Sequence, residues 1–404
     1  MQAEIKVQCC IAGGGPAGIM LGYLMARAGV ETVVLEKHKD FLRDFRGDTV
    51  HPSTTQIMQD LGLLEDFLKV PHQKVDRLRG DFDGEKVTLV DFSQLETPCP
   101  YIVFMPQWDF LNFIVEKGKL LPRLKIVMEA NVTALLRENG RVVGVHAETP
   151  HGSMEVRAAL TVGADGRSST VRAAAGLAVE DEHAAIDVFW FRVEKSANAL
   201  EGVGMHSNGG KFLITIERQD YLQCAYAVEK GQAGAIRVRG LDAFRHDLAT
   251  AAPELRASVN ALATWDDVKL LTVSVERLLK WSAPGMLCIG DAAHTMSPVG
   301  GVGINLAVQD AVATANLLAV PLREGRLTDE MVDEVQARRL WPAKVVQTFQ
   351  GAVQKNLLKP ALAGKLSKMP LMLRLVSHSH WIQGKAAQFV GLGVRQERVE
   401  SKPF

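Results

Sequence analysis

The chain of 404 residues is longer than one ordinary hydrophobic core accommodates, so its length predicts two or three structural units. Lysine plus arginine equals aspartate plus glutamate at 46 each, and this neutral balance argues against a nucleic-acid partner. Because the five cysteines lack C-x-x-C spacing and no long uncharged apolar run occurs, we expect a cytoplasmic protein without an integral membrane segment.

The first predicted unit is an apolar strand, a glycine turn and an apolar helix over residues 7–27. Gly13 permits the sharp turn, Gly15 lets the backbone approach a pyrophosphate, and Gly18 lets the helix lie close to the strand. A second strand ends at Glu36, about 20 residues after the glycines, where a carboxylate can bind ribose hydroxyls. A ligand-free turn is the alternative, but strand, turn, helix, strand and acid in this order predict a dinucleotide site.

The next segments combine a polar loop, a helix and short strands. We expect a helix that begins after Pro52, is capped by Ser53 or Thr54, and is stopped by Gly62. Alternating apolar and polar residues over 70–100 predict strands of a separate sheet, which interrupt the first unit.

A helix is predicted over 107–121 and a β-hairpin after it. The turn residues Asn139 and Gly140 are a strong hairpin signal, so the flanking strands are expected to form an antiparallel accessory sheet. An apolar strand over 160–164 then leads through a polar turn into a further helix.

Residues 187–275 are predicted to form a second sheet with one helix near 241–263. Its aromatic residues favour an apolar aromatic ligand, and alternation would place Trp190 and Arg192 on one face of a strand. Other aromatic residues of this region include Phe191, Phe212, Tyr221, Tyr226 and Trp265.

The last third begins with an apolar strand that ends at Asp291. A glycine-rich loop follows, and then a helix to about residue 319. The pattern from 329 to 404 is helical and is punctuated by Pro342, Pro360 and Pro370.

Three segments, at 11–18, 163–172 and 290–305, each pass from an apolar strand through Gly or Asp into a helix. In this order the chain resembles the single-component, group A flavoprotein aromatic hydroxylases, the family of p-hydroxybenzoate hydroxylase. The family's D-G-x-x-S-x-x-R motif matches Asp165, Gly166, Ser169 and Arg172. Its G-D-A-A-H motif and following loop match Gly290, Asp291, Ala292, Ala293, His294, Pro298, Gly301, Gly303 and Asn305. One departure is Val302, where many relatives have Gln.

The resemblance implies an α/β fold with a Rossmann-like FAD-binding domain, an inserted mixed β-sheet substrate domain and C-terminal helices. The FAD-binding domain would comprise 1–70, 101–180 and 281–325, the substrate domain 71–100 and 181–280, and the C-terminal helical region 326–404. The implied function is an FAD-dependent monooxygenase that uses NADH or NADPH and O2. It would hydroxylate an aromatic or heteroaromatic small molecule through a flavin C4a-hydroperoxide, and a homodimer is compatible with this reading.

The resemblance also implies the site residues. Pro298, Gly301 and Gly303 would form the flavin-ring loop, and no acid or base residue is assigned, neither Asp48 nor His51 nor His294. The cofactor would bind Gly13, Gly15, Gly18, Glu36, Arg46, Gln107, Asp165, Gly290, Asp291, Gly303 and Asn305.

Two of these assignments have a second explanation, and a third has a direct physical basis. The segment 163–172 can be a purely structural turn, because Asp165 and Ser169 can cap the helix. Gln107 is equally compatible with a surface position. Asp291, at the carboxyl end of a strand, can accept hydrogen bonds from a ribityl chain. We expect no metal site, since His378 and His380 lack further ligands.

Other functions remain open. An FAD-dependent reductase or dehydrogenase of a lipid or isoprenoid would share the fold, whereas a flavin-dependent halogenase would need a W-x-W-x-I-P sequence that is missing. A non-catalytic FAD-holding partner in a biosynthetic complex is a further alternative, with residues 357–375 as its docking helix, although Pro360 and Pro370 interrupt that helix.

Overall fold

The computed structural model describes residues 3–42, 48–82, 84–182, 184–195, 202–218, 220–365 and 371–404. The strands in these ranges are β1 Ala3–Ala12, β2 Thr32–Leu35, β3 Thr49–Val50, β4 Gln73–Val75, β5 Arg77–Phe82, β6 Glu85–Asp91, β7 Ile102–Phe104, β8 Leu124–Val127, β9 Asn131–Glu138, β10 Arg141–Thr149, β11 Gly152–Gly163, β12 Val179–Asp181, β13 Ile186–Glu194, β14 Val203–Asn208, β15 Lys211–Glu217, β16 Tyr221–Glu229, β17 Lys269–Leu271, β18 Glu276–Leu278, β19 Ser282–Ala283 and β20 Met286–Cys288. The helices are α1 Pro16–Arg27, α2 Pro52–Asp60, α3 Leu64–Phe67, α4 Gln107–Gly118, α5 Thr170–Ala174, α6 Ala233–Val238, α7 Leu241–Ala251, α8 Arg256–Val259, α9 Gly303–Arg323, α10 Asp329–Val353, α11 Lys359–Leu362, α12 Leu371–His378 and α13 His380–Leu392.

A sheet of eight strands carries the three predicted motifs. Its order is β19-β20-β11-β1-β2-β8, and β10 and β9 extend it beside β11. β1 pairs in parallel with β11 and with β2, while α1 packs against α4 and α9. The parallel strands and the helices packed on them confirm the predicted α/β class.

The predicted hairpin is present but does not form a sheet of its own. β9 and β10 pair antiparallel, and both turn residues have positive φ, 49° at Asn139 and 81° at Gly140. β10 also pairs with the first half of β11, whose second half pairs with β20. One long strand therefore joins the expected accessory sheet to the main sheet.

A second sheet has seven strands in the order β17-β13-β16-β15-β14-β5-β6. The expectation of strands over 70–100 is confirmed for β5 and β6, which join this sheet. β4 is also a strand outside the main sheet, but it pairs with β7 in a small sheet that also contains β3, so the predicted strands fall into two sheets. The domain boundaries given above stay a prediction.

The two faces of the seven-stranded sheet differ. One face packs on α7 and α8 in a buried cluster that contains Phe189, Phe191 and Tyr226 of the sheet and Phe244 of α7. Phe191, Tyr226 and Trp265, which are among the aromatic residues noted in the sequence, all pack in this cluster. Trp190 lies on the other face, because successive side chains of a strand alternate.

Several helix boundaries differ from the expected ones. α2 has His51 as its N-cap without a side-chain hydrogen bond, so neither Ser53 nor Thr54 caps it. α10 runs through Pro342 and continues into a π-helical turn, Gln354–Leu358. The proposed docking helix over 357–375 is not one helix, since α11 ends at Leu362 and residues 366–370 lie outside the described ranges. Residues 394–404 were expected to be helical but are not.

Within the described ranges, one helical stretch, Val299–Arg323, is long and apolar enough to cross a membrane by length and composition. However, 78% of its apolar window is buried inside the protein. This is the pattern of a core helix, and α9 indeed packs against α1 and α10.

Candidate active site

The three predicted motif segments meet at one edge of the eight-stranded sheet. Ala12 at the end of β1 is paired with Gly163 and with Leu35, and Gly163 is paired with Cys288. Parallel neighbours that end at the same level bring their carboxyl ends together. The segments that follow them thus occupy the edge at which open α/β sheets bind ligands.

The glycine turn after β1 leaves room for a ligand. Gly13 has a φ of 105°, and a Cβ there would overlap the carbonyl of Ala164, just as a Cβ on Gly18 would overlap the carbonyl of Gly13. A Cβ on Gly15 would instead meet no atom within 4 Å. α1 has neither a side-chain cap nor an acidic residue in its first turn. Its positive end is therefore open to an anion such as a pyrophosphate.

Glu36 is buried at the end of the first crossover, but its carboxylate binds the protein itself. Its Oε2 accepts a hydrogen bond from Gly14 N at 2.8 Å. Its Oε1 accepts one from His38 N at 3.0 Å and lies 2.5 Å from His38 Nδ1. The carboxylate thus fixes the glycine turn, and its contact with a ribose stays a prediction.

In the second motif, Asp165 and Ser169 cap a helix. The Ser169 hydroxyl donates to the Asp165 carboxylate and accepts from Arg172 N at 2.9 Å, while Val171 N donates to Asp165 Oδ2 at 3.2 Å. These contacts are the structural alternative considered for this segment. A cofactor contact of Asp165 stays a prediction, with fewer acceptor sites left for it.

The buried carboxylate of Asp310 anchors the third motif. Gly290 has a φ of 58° and donates its N–H to Asp310 Oδ2 at 3.1 Å, and half-buried Asp291 follows at the sheet edge. Asp310 also lies 2.7 Å from His294 Nε2 and accepts from Arg339 Nε at 2.9 Å. His294 is therefore a member of a buried network.

The loop from Pro298 to Gly303 leads into α9. Gly301 has a φ of 63°, and a Cβ on it would lie 2.5 Å from Thr49 Oγ1, which donates to the Gly301 carbonyl at 2.6 Å. A Cβ on Gly303 would meet no atom within 4 Å. Since α9 lacks a side-chain cap and first-turn acids, its positive end is also open.

Asn305 serves this loop through its side chain. Its Oδ1 accepts from His51 N at 2.9 Å and from Thr54 Oγ1 at 2.7 Å. The amide thereby ties α9 to α2. A contact of Asn305 with the cofactor would depend on its backbone and stays a prediction.

An ion pair joins the segment before β3 to the seven-stranded sheet. Arg218 Nη2 lies 2.5 Å from Asp48 Oδ2, donates to Gln223 Oε1 at 2.8 Å, and sits over the ring of Phe104. Burial raises the pKa of the Asp48 carboxyl, and the Arg218 charge offsets only part of that rise. The pair holds the loop near Gly301 against the second sheet.

Two predicted cofactor residues remain. Gln107 is half-buried as the first residue of α4, and its backbone donates to the Asp48 carboxylate. Arg46 lies outside the described residues, as does Arg43. Arg172, which could serve a nicotinamide cofactor, donates to the Arg167 carbonyl at 2.7 Å and lies 3.5 Å from Glu276 Oε2.

His51 is buried between the loop that contains Gly301 and helix α13. Its Nδ1 lies 2.9 Å from the Val390 carbonyl, and its Nε2 has no partner among the described residues. Burial lowers the pKa of His51 to about 4, so the ring is neutral near neutral pH. This environment suits a packed residue better than a proton carrier.

Sequence reasoning missed two residues that position the site, Arg218 and Gln350. Gln350 Oε1 accepts from Ser297 N at 3.0 Å, directly before the loop. The partners Asp48 and Ser297 are 170 and 53 positions away in the chain, respectively. No local pattern signals such contacts.

The chain matches the family described as FAD binding domain over residues 6–349. It is 32% identical over 332 residues to the 6-methylpretetramide 4-monooxygenase of Streptomyces rimosus, which covers 82% of this chain and 79% of that protein. It is 25% identical to the para-nitrophenol 4-monooxygenase of Pseudomonas sp. strain WBC-3, over 81% of each. The solved structure of OxyS anhydrotetracycline hydroxylase from Streptomyces rimosus superposes with a TM-score of 0.78 at 26% identity, covering 97% of this chain and 77% of that one.

These matches and the open, uncapped turns at the sheet edge agree on a flavin-binding fold. The resemblance inferred from the three motifs is thereby confirmed, as are the FAD cofactor and the enzyme class. The chain belongs to the FAD binding domain family, and it is an FAD-dependent aromatic monooxygenase of the p-hydroxybenzoate hydroxylase type.

Proposed function

We propose that this monooxygenase uses NADH or NADPH to hydroxylate an aromatic compound of more than one ring, bound on the face of the seven-stranded sheet opposite α7 and α8. The observation that carries the proposal is a row of cross-strand partners on that face: Trp190, Ala225, Ile214 and Met205. Four neighbouring strands span about 14 Å, at roughly 4.8 Å per strand spacing. This apolar row is longer than a single ring requires.

The opposite wall of the proposed pocket would be supplied by the flavin-ring loop and the C-terminal helices. Trp190, Met205 and Ile214 pack against two apolar clusters at once. Val299 of the loop packs against one of these clusters and Leu357 of the π-helical turn against the other. An apolar substrate held between these walls would lie next to the loop and out of water.

The residues that would hold FAD follow from the geometry of the sheet edge. The open N-terminus of α1 with Gly15 suits the pyrophosphate, Asp291 suits the ribityl chain, and the loop from Pro298 to Gly303 suits the ring. When bound, FAD supplies the redox chemistry, taking hydride from the nicotinamide and activating dioxygen. The chain contributes positioning, exclusion of water, and the positive end of α9 for negative charge that develops at the ring.

The relatives' names support the substrate class, since one acts on 6-methylpretetramide and another on para-nitrophenol. We would measure NADH and NADPH oxidation by the purified protein with anhydrotetracycline, p-nitrophenol and larger phenols. We expect substrate-dependent oxidation, faster with multi-ring compounds, and one oxygen atom from 18O2 in the product. Product without the label would contradict hydroxylation, and a preference for single-ring phenols would contradict the inferred size.

Trp190 carries a specific prediction about the pocket. Its Nε1 is buried without a hydrogen-bond partner among the described residues, although buried donors are normally satisfied. We propose that a substrate oxygen accepts this bond, so Trp190→Phe should weaken substrate binding about 3- to 10-fold by removing one hydrogen bond. FAD affinity should not change.

The matched control is Tyr226→Phe, which removes a polar atom from the other face of the same sheet. Substrate dissociation constants for both variants would be measured by titration of flavin fluorescence. Unchanged binding in Trp190→Phe, or equal weakening in Tyr226→Phe, would remove the Trp190 N–H from the substrate site. A cytoplasmic location and a homodimer stay predictions.

A further inference from the structure

Helix α10 carries glutamines whose side-chain amides bind backbone groups of other segments; Gln347 and Gln350 are buried and Gln336 is half-buried. Gln347 Nε2 donates to the carbonyls of Glu276 and Thr295, both at 3.0 Å. Near the start of the helix, Gln336 accepts from Trp281 N at 3.0 Å and donates to the Leu279 carbonyl at 2.9 Å. Helix α10 thus forms hydrogen bonds with the backbone of the segment that leads from β18 to the flavin-ring loop.

Gln350 forms hydrogen bonds with the start of the flavin-ring loop itself. Besides accepting from Ser297 N, its Nε2 donates to the carbonyls of Ser297 and Val299, both at 2.8 Å. Its side chain is 1% exposed. One amide therefore satisfies three backbone groups on the two sides of Pro298, which has no N–H of its own.

The same loop is held at its far end by a different element. The Thr49 hydroxyl donates to the Gly301 carbonyl at 2.6 Å. Between the two anchors the backbone takes left-handed conformations, with φ of 81° at Gly300 and 63° at Gly301. Glycine is permissive there, so the anchors and not the local residues must set the path of the loop.

Helix α10 also reaches the proposed substrate pocket. One turn after Gln350 it becomes the π-helical turn, where Gln354 Oε1 accepts from Ala185 N at 2.9 Å, directly before β13. Leu358 of that turn belongs to the cluster against which Val299 and Trp190 pack. π-Helical turns often occur at functional sites. The helix is thus in contact with the loop and with the substrate sheet.

We propose that Gln350 is a positioning residue that fixes the backbone on both sides of Pro298 and so sets how the loop meets the flavin ring. The inference rests on the proposed placement of residues 298–303 at that ring. It assigns to a C-terminal helix a part in forming the cofactor site. It also gives the substrate pocket a direct structural link to the loop.

The test compares Gln350→Met with Gln336→Met. Both changes remove a side-chain amide of α10 that forms hydrogen bonds with backbone groups, but only the Gln350 amide contacts the loop. We expect Gln350→Met to raise the FAD dissociation constant about tenfold, or about 1.4 kcal/mol, and to shift the absorption band of the bound oxidised flavin. Gln336→Met should leave both at the wild-type values, even if it lowers the melting temperature as much.

Gln350→Glu keeps the volume and the bond from Ser297 N but loses the two donated bonds, so it provides a second variant if Gln350→Met does not fold. A wild-type flavin spectrum and FAD dissociation constant in the folded Gln350 variants would overturn the inference. Equal changes in Gln336→Met would also overturn it, by reducing the effect to lost stability.

Gly303→Val separates this inference from the proposed function, because its side chain would enter open space at the start of α9. If that change leaves FAD binding and the spectrum untouched, the loop is not at the ring and both proposals fail. If it alters them while the Gln350 variants do not, only the role of Gln350 is wrong.

Discussion

Replacing Arg339 with methionine is expected to lower the free energy of unfolding by about 3–5 kcal/mol, the usual cost of removing one partner from a buried ion pair. Arg339 is 1% exposed. Its Nε donates to Asp310 Oδ1 at 2.9 Å, and its Nη1 lies 3.4 Å from Glu397 Oε1. Both carboxylates are at most 1% exposed. Glu397 would keep its hydrogen bonds to Arg338, but the buried Asp310 charge would lose its arginine partner.

The pKa of Asp310 indicates the pH at which to measure this loss. Burial alone would raise that pKa, but His294 and Arg339 outweigh the effect and hold it below the ordinary value. A carboxyl group whose pKa is lower in the folded than in the unfolded protein stabilises the folded state. The stabilisation is complete at pH values above the pKa of the unfolded state, and it is lost as the pH falls through the pKa of the folded state. The full effect of Arg339→Met is therefore expected at neutral pH and a smaller one in acid.

Urea unfolding of the FAD-free protein would provide the measurement. Arg326→Met is the matched control, because Arg326 pairs with Glu324 at the surface, where such pairs contribute about 0–1 kcal/mol. If Arg339→Met costs no more than Arg326→Met, the buried network does not hold α9, α10 and the C-terminal segment together. Such a result would also question the anchoring of Gly290 through Asp310.

The site could be predicted from sequence where backbone geometry restricts the residue type. Gly13 and Gly18 are such positions, because a Cβ on either would overlap a carbonyl. The hairpin at Asn139 and Gly140 was predictable for the same reason, since both residues have positive φ. In each case the constraint is local and excludes most other side chains.

Side-chain partners were not predictable in this way. Glu36 and Asn305 were predicted as cofactor residues, and both side chains bind backbone groups of distant segments. A carboxylate or amide at a sheet edge satisfies the same motif whether it binds ligand or protein. The choice depends on which backbone donors the tertiary fold brings near, and those lie far away in sequence.

Two other features of the fold have physical causes that sequence patterns show only in part. α10 continues through Pro342 because tertiary packing of a long helix can offset one missing backbone bond. The aromatic residues of 187–275 divide between the two faces of the sheet because alternate residues of a strand face opposite sides. Trp190 and Phe191 are consecutive residues of one strand, so the sequence alone places them on opposite faces.

Gly15→Val is expected to abolish tight FAD binding while leaving the fold intact. Gly15 is the N-cap of α1 with φ −74° and ψ −176°, an extended conformation that valine adopts readily. Its Cβ would meet no protein atom within 4 Å, so the side chain would enter the space in front of the open helix end. A pyrophosphate there would lose its close approach to the backbone. We expect the FAD dissociation constant to rise about 100-fold, or about 2.7 kcal/mol, the loss of one or two charged hydrogen bonds.

Two further glycine changes make this result specific. Gly234→Val, in α6 and also facing open space, should alter neither FAD affinity nor stability by much. Gly13→Val should destabilise the FAD-free protein as well, because its Cβ would overlap the Ala164 carbonyl and its φ of 105° is unfavourable for valine. FAD titration would be combined with thermal unfolding of each FAD-free variant. If Gly15→Val binds FAD as tightly as the wild type, the pyrophosphate does not lie at this turn, and the cofactor must enter the sheet edge in another orientation.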